Sequence, residues 1–195
     1  MALDRREFNR QETQRQIRDT FLEMYRQRGI DGITVSDICK EAQVSKSTFY
    51  MYFEDKYSVL ETIENYLLEQ LAKINESVSD SSILHGLNNK EFREGRMTAD
   101  FIKEHMEEFR AIMGPKGDPS FETRWRQHIM EKYREAFRKQ RKDDSNAGVA
   151  CTIFTSVLIG VYRHFIFENP DIPREEISAI ISDVLTYTMR TFQTK

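Results

Sequence analysis

Cysteine, proline and uninterrupted apolar runs are all scarce in this chain, and each scarcity closes off a class of protein. The 195 residues include two cysteines, Cys39 and Cys151, far apart and without a CxxC or Cys/His spacing. Neither a disulfide framework nor a zinc site is indicated, and both read as core residues. Four prolines and eight glycines are too few for a largely disordered chain, and the length is sufficient to bury a hydrophobic core without covalent staples. The most apolar stretch, residues 153–167, is interrupted by Thr155, Ser156, Gly160, Arg163 and His164. It therefore reads as a buried helix and not as a membrane span. The N-terminal run MALDRREFNRQE carries both signs of charge and no apolar signal core, so the expected location is the cytoplasm.

An excess of positive charge is lacking too. Residues 1–60 hold ten Lys/Arg and ten Asp/Glu, which leaves 19 and 22 for the rest and a net charge of −3. Bulk charge supplies no affinity for nucleic acid, so any DNA contact must come from local geometry. Signatures of catalysis are missing as well: there is no GxSxG, no glycine loop to cradle phosphate and no compact acid/base pair. His85, His105, His128 and His164 are dispersed, without HExxH spacing, so no metal and no cofactor is expected and the chain does not read as an enzyme.

What is present is helical periodicity. Ile17, Phe21, Met24 and Tyr25 form one stripe that stops at Arg28-Gly29, a C-terminal signal. Thr34 is placed to cap a short second helix that turns Ile38, Cys39 and Ala42 inward. A third, very short helix follows Ser45. Leu60, Ile63, Leu67, Leu71, Ile74 and Val78 then step by threes and fours, predicting a long helix over 56–78 that links two halves of the chain. Residues 79–97, rich in Ser, Asn and charge, predict a loop with one or two helical turns. Phe101, Ile102, Met106, Phe109 and Ile112 predict a further amphipathic helix, and 121–141 another after the turn GPKGDPS. The run EKYREAFRKQRKDD reads as a solvated helix face of paired charges. Two final helices carry the broad apolar arc of Ile153, Phe154, Val157, Leu158, Val161, Tyr162 and Phe165 and, after Pro173, the stripe of Ile177, Ile180, Ile181, Val184, Leu185 and Thr188. The fold class is all-α, with a three-helix domain over 1–56 and a helical bundle over 57–195.

The segment TVSDICKEAQVSKSTFYMYF has the layout of a helix-turn-helix: a short helix, a three-residue turn and a second short helix, joined through Ile38, Cys39, Val44, Phe49 and Phe53. With those residues inward, the second helix presents Lys46, Ser47, Thr48, Tyr50, Met51 and Tyr52. Hydroxyls and a lysine bond base edges or phosphates, tyrosines offer flat rings with polar tips, and Lys56 can neutralise a phosphate. In an arbitrary helical protein the same residues would be ordinary surface groups. Arg5, Arg6 and Arg10 read either as an arm into an adjacent minor groove or as a solvated tail.

The run VSKSTFYMYFEDKYSVL, preceded by GIDGITVSDICKEA, closely resembles the signature of the TetR family of bacterial regulators. The resemblance covers residues 10–60 and implies a DNA-binding transcriptional regulator, a homodimer on a palindromic operator, with DNA contacts from Ser36, Lys46, Ser47, Thr48, Tyr50, Tyr52 and Lys56. Gln43 departs from the family pattern, which has Gly in the turn; a left-handed backbone there costs Gln about 1 kcal/mol more than Gly. The resemblance further implies a C-terminal domain that dimerises through its last two helices, where Gly160 and Ser156 permit close approach, and that encloses a small-molecule effector. Met106, Phe109, Trp125, His128, Phe154, Leu158 and Tyr162 combine apolar bulk with polar tips, as ligand sites do, and equally describe a core. VLIGVYRHFIFENPDIPREEI and MGPKGDPSFETRWRQHI also resemble a branch that includes regulators of dihydroxyacetone-kinase operons. Repression released by an effector is the expected function. Its rivals are a regulator that acts through a partner protein without a ligand of its own, and an enzyme or carrier that keeps the helix-turn-helix only as scaffold.

Overall fold

The computed structural model describes residues 5–76, 92–139 and 147–193, and all regular structure among them is helical. The helices are α1 (Arg5–Arg28), α2 (Val35–Glu41), α3 (Lys46–Tyr50), α4 (Lys56–Glu76), α5 (Arg93–Glu104), α6 (Met106–Ile112), α7 (Pro119–Lys139), α8 (Ala147–Phe167) and α9 (Arg174–Gln193). They form two compact units. The first takes Met1–Leu67 together with Glu107–Pro119; the second takes Leu68–Met106 and Ser120–Lys195. The first unit thus holds all of the expected 1–56 domain, the first half of α4 and a short piece from the middle of the chain.

In the first unit, Ile17, Phe21, Met24 and Tyr25 of α1 are buried as their spacing predicts, with the Phe21 and Tyr25 rings stacked at 5.5 Å. The helix ends where Gly29 adopts φ +69° and donates its N–H to Tyr25 O, a conformation that glycine accepts without penalty. Arg5, Arg6 and Arg10 belong to the first two turns of α1, and Arg10 pairs with Glu7 within the helix at 3.8 Å. Phe109 and Ile112 of α6 are fully buried. The chain leaves α6 through a turn in which Asp118 N–H reaches Ile112 O, and a Cβ at Gly117 would stand 1.8 Å from that same oxygen. No other residue fits there. Arg26 of α1 and Glu107 of α6 form an exposed ion pair at 2.5 Å.

The helix expected through Phe101, Ile102, Met106, Phe109 and Ile112 is in fact two. His105, at φ −111° and ψ 32°, leaves the helical region with its ring 4.6 Å from that of Phe101. The break permits Ile102 to bury in the second unit and Phe109 in the first, a division that one straight apolar stripe cannot make. Helix α5 begins at Arg93, so the last residues of the stretch expected to be a loop with one or two helical turns are helical; residues 79–91 of that stretch, Val78 and residues 140–141 lie outside the described residues.

The second unit packs α5 and α8 on α9. Ser178 of α9 receives Phe92 N–H at 2.9 Å and donates to Phe92 O at 2.8 Å, both in the interior. Arg174 binds Asp100 at 2.6 Å on the rim. Pro173 opens α9, its carbonyl accepting from Glu176 and Ile177. Among the described residues one helix, Gly148–Phe167, is long and apolar enough by composition to cross a membrane. Its interruptions are milder than they look in sequence, because Thr152 and Thr155 bond back to Gly148 O and Cys151 O. Phe154, Leu158, Ile159, Tyr162, Phe165 and Ile166 nevertheless bury one side of it among the other helices.

Candidate nucleic-acid interface

Helix α2 is started by a reciprocal cap: Asp37 N–H donates to Thr34 Oγ1 at 3.2 Å while Thr34 N–H donates to Asp37 Oδ2 at 3.0 Å. The Thr34 side chain and backbone hold the Asp37 carboxyl below its ordinary range. After α2 the chain reverses at Gln43, whose φ of 52° is the left-handed conformation expected of that turn. Val44 N–H closes the reversal on Cys39 O at 3.0 Å. Ser45 then caps α3, its hydroxyl accepting Thr48 N–H at 3.0 Å and lying 2.8 Å from both Ser47 Oγ and Thr48 Oγ1. These three hydroxyls form one exposed cluster at the start of the helix.

Burial decides which way α3 faces. Ile38 and Phe49 are wholly buried and Phe53 nearly so, the two phenylalanine rings lying 5.8 Å apart. Ala42, at 1% exposure, leaves room for α2 and α3 to approach. Burial raises the Cys39 thiol above its ordinary pKa against the pull of Lys46, as suits a core residue. Val44 is only half-buried, less of a plug than the sequence suggests. The opposite face carries Lys46, Ser47 and Tyr50 exposed and Thr48 and Tyr52 half-exposed, with Ser36 exposed on α2. The Tyr50 ring stands edge-on to Phe49 at 5.6 Å, so its direction is set by a core residue.

Lys56 is placed otherwise than the sequence reading expects. Its ammonium turns back into the unit and donates to Ile30 O at 2.8 Å and Ile33 O at 2.9 Å, joining the start of α4 to the α1–α2 connection. A lysine at a helix start next to tyrosines has the same pattern in sequence whichever way it bends. Met51 is the converse case. It closes α3 with 72% of its surface exposed, the most exposed of the large apolar side chains of α3; an apolar group standing between polar ones is the signal that marks it.

The residues proposed for a ligand divide. Trp125, Phe154, Leu158 and Tyr162 are all buried in the second unit, with Trp125 stacked on Tyr162 at 5.5 Å. Met106 is half-buried at the end of the α5–α6 break and His128 is exposed. Phe109 belongs to the first unit. Elsewhere in the second unit, α8 and α9 form an apolar groove of about 330 Å³, lined by Val157, Gly160, Val161, His164, Ile177 and Ile180 among others. Val149, Ile153, Val157 and Phe167 extend this exposed apolar surface along α8. A Cβ at Gly160 would meet nothing within 4 Å.

Comparison with known proteins bears on both units. The family model of bacterial regulatory proteins, tetR family, matches residues 17–63, and a model described as transcriptional regulator C-terminal region matches residues 96–187. An uncharacterized HTH-type transcriptional regulator of Bacillus subtilis, YxbF, is 31% identical over 99 residues, half of this chain and 26% of its own length. A second from the same organism, YuxN, is 34% identical over 59 residues, 30% of this chain. The chain thus spans about a quarter and a fifth of the curated relatives that it matches, 26% and 20% of their lengths. Among solved structures, a TetR transcriptional regulator from Streptococcus agalactiae aligns over 96% of this chain and 97% of its own, with TM-score 0.63 and 18% identity. The dihydroxyacetone kinase operon activator DhaS aligns over 93% and 98%, with TM-score 0.55 and 18% identity. At that identity the likeness is one of fold.

Proposed function

Because the chain belongs to the TetR family of bacterial transcriptional regulators, we propose that it is a cytoplasmic repressor whose dimer grips a palindromic operator and is released by a small-molecule effector. The observation that carries the DNA half of this reading is the outward face of α3: Lys46, Ser47 and Tyr50 point to solvent because Phe49 and Phe53 are locked in the core. Lys46 and Ser36 are suited to phosphates, the Ser47 and Thr48 hydroxyls to base edges or phosphates, and Tyr50 and Tyr52 to the groove wall. Two such helices about 34–36 Å apart enter successive major grooves. The apolar groove on α8 and α9, with Gly160 open in its wall, is the surface proposed for the second subunit.

The effector reading is supported by Trp125, Phe154, Leu158 and Tyr162, which gather in the second unit. An effector that binds better to the form with the wrong half-site spacing lowers operator affinity by that difference. The test is operator binding by fluorescence anisotropy across a salt series. Affinity falls steeply with salt, Lys46→Ala weakens binding on every sequence and reduces the slope by about 1, and Tyr50→Ala weakens it at any salt. Wild-type binding by both variants overturns the site.

A further inference from the structure

The interior of the second unit holds an acidic group that packing does not explain. Glu94, in the first turn of α5, is 3% exposed, and its Oε2 has no hydrogen-bond partner. Tyr133 of α7 and Tyr162 of α8, themselves 1% and 2% exposed, lie within electrostatic reach of Glu94. Burial is the main reason that both phenols resist ionisation, and the Glu94 charge adds to it. Thr98, one turn along α5, bonds Tyr162. Aromatic rings complete the surroundings: Trp125 stacks on Tyr162 at 5.5 Å, Phe154 lies 4.8 Å from Tyr133 and Phe92 lies 6.3 Å from it.

A carboxylate withdrawn from water without a counter-charge is strongly destabilising. Among the described residues no ion pair is formed by Glu94, and no group of three or more His, Cys, Asp or Glu stands ready to hold a metal ion. One carboxylate is also too few for a calcium or magnesium ion, which takes about six oxygen ligands. A single buried acid near two buried tyrosines, one of them stacked on a tryptophan, has a different complement. Aromatic faces and one carboxylate together attract a bulky monocation whose charge is spread over carbon and nitrogen.

We propose that Glu94, with Tyr133, Tyr162 and Trp125 around it, is the recognition site for a small organic cation of the quaternary or substituted ammonium class. This rests on the effector reading above and supplies its chemical class. Glu94 is the discriminating group and the rings are the enclosure.

Trp125 is the sole tryptophan of the chain and stacks within the site, so its emission reports occupancy directly. The full-length protein is titrated with benzyltrimethylammonium and with neopentylbenzene, its uncharged isostere. The cation shifts Trp125 emission and binds about tenfold or more tighter than the isostere, the ratio that ~1.4 kcal/mol of charge recognition yields. Glu94→Gln erases that ratio while binding the isostere as before. In the absence of any probe, Glu94→Gln also melts at a higher temperature than wild type, because the unmatched charge is gone. A lower melting temperature overturns the proposal by showing that the folded chain already pairs the carboxylate. So does an undiminished cation preference in the variant, or the failure of the cation to change Trp125 emission. Release of the operator by neutral or anionic compounds alone overturns the cation class and leaves the effector reading standing; cation binding through Glu94 with unchanged operator affinity does the reverse.

Discussion

Replacing Lys56 with methionine separates two roles that the sequence assigns to the same residue. The ammonium makes two charge-assisted hydrogen bonds, to Ile30 O at 2.8 Å and to Ile33 O at 2.9 Å, and is half-buried as it does so. Bonds to a charged group contribute about 1.5–3 kcal/mol each when buried; allowing for water at this partly open site, the pair contributes about 2–4 kcal/mol. Methionine keeps the length of the stem and leaves both carbonyls without their donor. Against a total stability of about 5–15 kcal/mol this is a large share, and it lowers the urea midpoint of the first unit by roughly 1–2 M. Circular dichroism follows the loss of helix, and emission from Trp125, which lies in the second unit, serves as the control. Operator binding at a concentration where the variant is folded keeps the wild-type salt slope. An unchanged midpoint together with a salt slope smaller by about 1 refutes the argument, because it identifies the ammonium as a phosphate ligand.

Gly160→Ala and Gly160→Leu are expected to act in opposite senses: the space beside Gly160 is open within one subunit, so alanine stabilises α8 by up to about 1 kcal/mol, whereas leucine shifts dimer to monomer in sedimentation velocity. A dimer indifferent to leucine removes the α8–α9 groove as the interface. Tyr25 tests the first unit by pH. Its phenol is pushed from 10.0 to about 12 by burial, then by Glu64 and Asp118. The folded form therefore keeps its proton longer than the unfolded chain, and the contribution is intact below pH 10.0 and declines as pH rises toward 12. Urea midpoints measured across that range fall for wild type and flatten for Tyr25→Phe. Ser178→Ala strands the Phe92 N–H in the interior, while Phe92 O keeps the N–H of Gly95, and lowers stability by about 1–3 kcal/mol, read as a lower melting temperature.

The helix-turn-helix is readable because each step of it is written in a residue with little choice. Gly29 ends α1, Thr34 and Ser45 cap the next two helices, and the spacing of Ile38, Phe49 and Phe53 leaves one arrangement in which all three are buried. Periodicity fails where two packing environments meet in one stripe, as at His105, because spacing records that a residue is apolar and not which core receives it. Charge fails in the same way. Lys56 and Glu94 are residue types that are ordinarily solvated, and nothing local in sequence distinguishes an ammonium bonded to two carbonyls, or a carboxylate withdrawn from water, from a surface group. Of the ligand candidates, the buried aromatics gather as a set, and the acid among them is the one that periodicity passes over.

Residues 107–119 belong to the same compact unit as α1, α2 and α3, contributing buried Phe109 and Ile112 and, from Lys116, a bond to Gln27 O. The operator-reading module is consequently not a contiguous stretch of gene. A chimaera that grafts only the first 67 residues onto a foreign sensor would carry an incomplete fold unless the donor sensor happened to supply an equivalent patch, whereas exchange of the stretch 107–119 along with it transplants the whole unit. Recombination in nature meets the same constraint, so the DNA specificity and the C-terminal half of such a chain are expected to change by point substitution more readily than by shuffling.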